Sequence, residues 1–339
     1  MTPLRLGLAG FGRLARDYYL PALRAAPDMR LVAVADPLPE SRAAAAVRCP
    51  GARVYETLSA MLDGAALDAL LVASPPSAHL AAWRAASTTR IPVFVEKPLL
   101  LSHELPLLDG REDGARVMVD FNRRFWPPYA RARAIVAAGT LGTPLHLDFR
   151  LHLDVLGWST VTRHRLAADE GGLAHDLGCH AIDVASWLLG EEPREVTAVA
   201  STRRWPDDHL RLGLAFPSGA TADADLAYGA RTRERLGIRG PGGRLWQDEP
   251  NMALHLERAG ARRGRLAAKS LDMAVLAYRA LRRSRSVGRA SIQGALDAFV
   301  RAVRTGGPFE PGVADGLRNA RWVAAAGRSA AAGGASARP

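Results

Sequence analysis

"LRLGLAGFGRLA", residues 4–15, decides how the chain is read. An apolar run of strand length ends at Gly10, and a segment of helical period, residues 13–26, follows at once. Gly10 permits a tight turn, and Gly12 lets backbone amides approach an anion at the helix N-terminus. Ala15, in the third small position, allows close contact between helix and strand. Further apolar runs at 31–36, 67–74, 92–96 and 116–121 are spaced by Ala/Leu/Arg segments with helical periodicity. Such alternation builds right-handed βαβ units, so an α/β fold with a doubly wound parallel sheet is expected. Asp36 closes the second run, 24 residues after Gly12, near the offset of an acid that bonds adenosine ribose hydroxyls. The turn therefore reads as a dinucleotide site formed by Gly10, Phe11, Gly12, Arg13 and Leu14 with Asp36. A carboxylate there repels a 2′-phosphate, so NAD is expected, with NADP possible through Arg42. The plainer alternative is a turn glycine pair with Asp36 capping the next helix.

Composition narrows the class. The 339 residues are 48% hydrophobic and 23% charged, which suits two globular domains. Two cysteines, Cys49 and Cys179, are too few for a disulfide framework or a cysteine zinc site, and no metal is expected. No secretory leader or membrane span is read, and a cytoplasmic location is expected. The net charge is +11, yet residues 258–289 hold ten basic residues and one acid, and so carry most of it. A solvated basic face is the plain reading; contact with an anionic membrane or a phosphate-bearing ligand is the sharper one. No nucleic-acid motif accompanies the stretch.

Only two of the 45 basic residues are lysine, Lys97 and Lys269. Lys97 follows the strand-like "PVFVE" (92–96), where composition supports a requirement for lysine specifically; the plainer alternative is a surface lysine left by chance. Lysine is a compact donor whose protonation responds to its surroundings, and at the carboxyl end of a parallel strand it points into the ligand crevice. Farther on, "EGGLAHDLGCHAIDVASWLLG" (170–190) predicts a helix over 171–189 with Asp176, His180 and Asp183 on one face. A histidine suits proton exchange with an alcohol, although a helical Asp/His pair is often only structural. Residues 144–153 and the runs between 195 and 257 alternate with period two and predict an open, mostly antiparallel sheet. The expected division is 1–121, 122–329, and a frayed tail at 330–339.

With "GFGRLA", "VAD", "ASPPSAH" (73–79), "VEKPL", "DFNRRFWP", "LGTP" and "GGLAHDLGCHAID", the chain resembles the Gfo/Idh/MocA oxidoreductases. The resemblance implies an N-terminal Rossmann domain and a C-terminal α/β domain whose open sheet often builds homo-oligomers, dimers or tetramers. It also implies that Glu96 and Lys97 lie beside the nicotinamide and that Ser74, Pro75, Pro76 and His79 line the cofactor cleft. By the same match Lys97, Asp176 and His180 are catalytic, and Arg124 is a further substrate contact. The implied reaction is hydride transfer between NAD(P) and a secondary alcohol or ketone of a sugar, polyol or nucleotide-sugar. A glycosidase working by transient oxidation and elimination, and a non-catalytic nucleotide sensor or partner-binding protein, are the alternatives.

Overall fold

The structure, a computed structural model, describes residues 2–108, 116–155, 170–229, 232–248, 253–260 and 287–339. Most of the basic stretch 258–289, and with it the membrane-docking expectation, lies outside the described residues. No described helix is long and apolar enough to cross a membrane.

The chain forms two compact units. The first holds residues 1–122 and 288–320, and the second holds 123–287 and 321–339. The division expected from sequence needs correction here, because the helix Val287–Thr305 packs with the first unit rather than the second. Its apolar face carries Phe299, which meets Phe94 edge-on at 5.5 Å and so adds to the core of the first sheet.

In the first unit, β1 (Leu4–Ala9), β2 (Met29–Ala35), β3 (Arg53–Tyr55), β4 (Ala69–Val72), β5 (Val93–Val95) and β6 (Val117–Val119) form one sheet. Its order is β3-β2-β1-β4-β5-β6 and all five pairings are parallel. Both faces are covered, which is why β4, β5 and β6 are buried at every residue. Chain connections leave β1 and β4 in opposite directions, and that reversal opens a crevice outside their carboxyl ends. β3 is absent from the sequence expectation: "RVY" is too short, and too exposed at Arg53, to show an apolar run.

The second unit is a seven-stranded sheet of β7 (His146–Leu153), β8 (Glu195–Ser201), β9 (His209–Ala215), β10 (Thr221–Tyr228), β11 (Arg233–Gly240), β12 (Gly243–Asp248) and β13 (Ala253–Arg258). The order is β13-β12-β11-β7-β10-β9-β8, antiparallel except for β7 with β10. Burial alternates along β7 and β10, as expected of a sheet with one covered face. Leu147, Phe149 and Leu151 join the core, together with Leu177, Val184 and Leu188 of the helical segment and Trp322 and Val323 of the last helix.

The tail is also corrected. After the helix Val313–Ala331 the chain turns at Gly333 and Gly334, both at positive φ, and Ala337 exchanges two backbone hydrogen bonds with Val196. β8 is an edge strand whose outer amides need partners, and the tail supplies them.

Candidate active site

Five features expected from sequence or found in the structure stand at the carboxyl edge of the first sheet. Gly10 follows β1, Asp36 follows β2, Ser74 follows β4, Glu96 and Lys97 follow β5, and Asp120 follows β6. Gly10 has φ +88°, and a Cβ there would lie 2.7 Å from Ser74 N and 2.8 Å from Ala73 C and O. These are backbone atoms that cannot swing aside. Gly10→Ala therefore combines a left-handed conformation, about 1–2 kcal/mol, with overlap worth about 1–3 kcal/mol. A clear drop in the urea midpoint is expected, with loss of dinucleotide binding. Gly12→Ala makes the contrast, since nothing lies within 4 Å of its Cβ position. It should fold normally and weaken dinucleotide binding alone, by filling the space that a pyrophosphate needs.

Asp36 is buried, and its carboxylate accepts the Phe11 N–H at 2.7 Å and the Leu38 N–H at 2.9 Å. The Phe11 amide is thus spent on Asp36, and the Phe11 side chain is fully buried. Phe11 shapes the turn from within. A carboxylate accepts more than two hydrogen bonds, so Asp36 keeps capacity for ribose hydroxyls. Arg42 donates to the carbonyls of Pro37 at 2.7 Å and Asp36 at 3.1 Å, which commits its guanidinium to the end of β2.

Two observations test whether these residues fit a dinucleotide. The space over Gly12 is open, at the start of a helix. Ser74 Oγ is buried and has no hydrogen-bond partner among the described residues. Both suit a bound phosphate and ribose. Pro75 is exposed and Pro76 partly so. His79 differs from its expected place on the cleft wall: its ring is wholly buried. Nδ1 lies 2.7 Å from the Pro98 carbonyl and Nε2 2.9 Å from the Ser74 carbonyl. His79 ties the loop after β4 to the loop after β5, and sets the cleft rather than lining it.

Glu96 is buried, while Lys97 is half-buried. Glu96 Oε2 accepts the Lys97 N–H at 3.1 Å. Tyr19 and Asp120, which the sequence reading passes over, meet Glu96 from behind.

In the second unit the 171–189 segment is helical but not one regular α-helix. A π-turn runs through Ala174–Gly178 before the α-helix Cys179–Leu189. Asp176 lies in the π-turn and His180 in the first turn of the α-helix, so their phase differs from a simple four-residue spacing. Widened turns of this kind concentrate at functional sites. Asp176 Oδ2 accepts the Tyr228 O–H at 2.9 Å, and Tyr228 is a site residue that only the sheet brings there. His180 is buried. His175 Nδ1 faces the Gly171 carbonyl at 2.9 Å.

Arg124, expected as a substrate contact, grips Asp183. Its Nη2 lies 2.5 Å from Asp183 Oδ1, and its Nε is 3.1 and 3.2 Å from the two oxygens. Both side chains are largely buried. The forked pair anchors the helix that carries His180. On the exposed sheet face, His146, Asp148 and Asp223 hold possible metal-ligand atoms within 4.8 Å of one another; His146 Nε2 lies 3.2 Å from Asp148 and 3.4 Å from Asp223, and its Nδ1 2.7 Å from Thr221 Oγ1.

A parallel sheet in the order 3-2-1-4-5-6, a glycine turn at its switch point and an acid after β2 are the features of a dinucleotide-binding α/β protein. Residues 4–105 match the oxidoreductase family with an NAD-binding Rossmann fold, and residues 129–246 match the GFO/IDH/MocA C-terminal domain. The chain belongs to the Gfo/Idh/MocA family. It is 33% identical over 218 residues to inositol 2-dehydrogenase 2 of Saccharopolyspora erythraea, covering 63% of this chain and 60% of that protein. It is 30% identical over 254 residues to the rhizopine catabolism protein MocA of Rhizobium meliloti, covering 72% and 74%. The similarity thus spans less than two thirds of the length of the inositol 2-dehydrogenases of S. erythraea and Streptomyces avermitilis, 60% and 65%. A myo-inositol dehydrogenase structure from Corynebacterium glutamicum shares the fold, with TM-score 0.78, 24% identity and coverage of 99% and 98%.

Proposed function

We propose that the protein is an NAD(H)-dependent oxidoreductase acting on a secondary alcohol or ketone of a polyol or sugar. The observation that supports this most is Lys97, a rare lysine at the carboxyl end of β5, in the same unit as the Gly10 turn and Asp36. NAD(H), when bound, supplies the hydride acceptor or donor; Gly10, Gly12, Asp36 and Ser74 would hold it. In the first unit, Lys97 stabilises the substrate oxygen as negative charge grows on it, an effect of a few kcal/mol for a well-placed donor. In the second, His180 takes the hydroxyl proton and Asp176, steadied by Tyr228, positions the substrate. Relatives named as inositol 2-dehydrogenases favour a cyclic polyol within this class.

NAD is favoured over NADP because Asp36 presents a carboxylate where a 2′-phosphate would sit, and Arg42 is committed to backbone carbonyls. Energy transfer from the seven tryptophans to bound nicotinamide measures both cofactors. NADH is expected to bind at least about tenfold more tightly than NADPH, roughly the loss of one charged hydrogen bond. Asp36→Ser should narrow that ratio by weakening NADH. A screen of inositols, other polyols and sugars for NADH formation then tests the reaction. Binding of neither cofactor would remove the proposal.

A further inference from the structure

Behind Lys97 the first unit carries a polar cluster for which the proposed chemistry has no use. The Tyr19 oxygen lies 2.5 Å from Glu96 Oε1 and 2.6 Å from Asp120 Oδ2. Tyr19 and Asp120 have no exposed surface, and Glu96 retains 4%. The three come from separate elements: the π-turn Ala15–Tyr19, the end of β5 and the end of β6. Phe94 holds the Tyr19 ring edge-on, at 6.1 Å between centroids.

Counting protons assigns the charges. A phenol donates one hydrogen bond and a carboxylate none. Two such close oxygen contacts on one phenol therefore need a second proton, which one of the acids must carry. Glu96 accepts the Lys97 N–H on its other oxygen, a bond that favours the anion. Asp120 Oδ1 is buried with no hydrogen-bond partner among the described residues, a position where an anion is costly. The titratable groups facing Asp120 are Tyr19 from the first helix, and Glu96 and Lys97 from the segment after β5. Burial first, and then the Glu96 charge, hold the Asp120 carboxyl well above the usual carboxylate range. Burial and the two acids likewise keep Tyr19 a neutral phenol.

We propose that Asp120 is a positioning residue for Lys97: as a neutral acid it donates to Tyr19, Tyr19 donates to Glu96, and the Glu96 anion so fixed holds the Lys97 backbone. The inference rests on the proposed role of Lys97 in hydride transfer. One negative charge, not two, then stands behind the lysine. Ionisation of Asp120 would leave two anions competing for the single Tyr19 proton and would release Glu96.

The test compares the wild type with Asp120→Asn, whose amide donates to Tyr19 but cannot ionise. Infrared spectra should show a carboxylic-acid carbonyl band in the wild type at neutral pH, absent from Asp120→Asn and lost from the wild type as pH rises. In turnover, Asp120→Asn should keep kcat within about threefold at neutral pH with KM little changed. Its alkaline limb should lie above that of the wild type. Asp120→Ala should lose about tenfold, the equivalent of one strong hydrogen bond. Stability supplies a readout if the alanine variant does not fold. Because the folded Asp120 pKa lies above its unfolded value, the folded chain binds the extra proton between the two. Wild-type stability relative to Asp120→Asn must then fall as pH rises upward from the ordinary aspartate value of 3.8. A wild type without the acid band, a stability difference flat with pH, or superimposed alkaline limbs would each overturn the proposal. The band and the stability slope need no turnover. An inactive protein that shows both would count against the dehydrogenase reading alone, and an active one lacking both would count against this inference alone.

Discussion

Lys97→Arg is expected to leave NADH binding within about twofold of the wild type and to reduce kcat by about 10²–10³, the effect of losing one preorganised donor to a developing oxyanion. Charge is kept in this exchange, so a merely electrostatic role would survive it. Shape is not kept. The ammonium is compact and can give up its proton, whereas guanidinium is a rigid planar fork that stays protonated. The backbone cannot move to absorb the difference, since Glu96 holds the Lys97 N–H and Glu96 is itself buried against Tyr19. The loss should fall on kcat with little change in KM if the contact is made mainly in the transition state. Tryptophan-to-nicotinamide energy transfer on the same sample separates turnover from binding. Retention of more than about a tenth of wild-type kcat would remove Lys97 from the chemistry, because a tenfold change is worth only about 1.4 kcal/mol.

What could be read from the chain alone follows a physical line. β1, β4 and β5 are legible because both of their faces are buried, which forces continuous apolar runs such as "ALLV" and "VFV". β12 is not, since "GRLWQD" mixes glycine and polar residues on a strand near the sheet margin. Gly10, Asp36 and Lys97 are legible because each acts where a strand ends, and strand ends can be placed from local pattern. Tyr19 with Glu96 and Asp120, and Tyr228 with Asp176, are separated by 77, 101 and 52 residues. Only the sheet order brings them together. The available clue was a pair of acids, Glu96 and Asp120, each directly after an apolar run in the same sheet. Arg124 was legible as a residue of interest, but its partner Asp183 lies 59 residues on. The π-turn at Ala174–Gly178 escapes a periodicity argument because glycines flank and end it, leaving few side chains to report the phase.

The largest loss of stability is expected from Glu234→Ala. Arg123 Nε and Nη2 donate to Glu234 Oε1 and Oε2 at 2.8 and 3.0 Å, and the Tyr129 O–H donates to Oε1 at 2.8 Å. All three side chains are buried, and the guanidinium also stands 5.4 Å from the centre of the Trp126 ring. Removing the glutamate leaves a buried cation and a buried phenol without their acceptor, which costs about 3–5 kcal/mol. For a chain of this size that is a fall in melting temperature of about 4–7 °C. The exposed pair Arg244–Glu257, 2.7 Å apart, is the control: Glu257→Ala should cost less than about 1 kcal/mol, because water screens it. Replacing Arg123 and Glu234 together by leucine or methionine should recover much of the loss, since no charge then remains to be solvated. Urea unfolding followed by circular dichroism measures all four proteins. If the double variant were no more stable than Glu234→Ala, the penalty would lie in lost packing around Tyr129 and Trp126 rather than in an unpaired charge. If Glu234→Ala matched Glu257→Ala, the guanidinium would have to reach water, and its burial between the helix Pro127–Ala137 and β11 would be refuted.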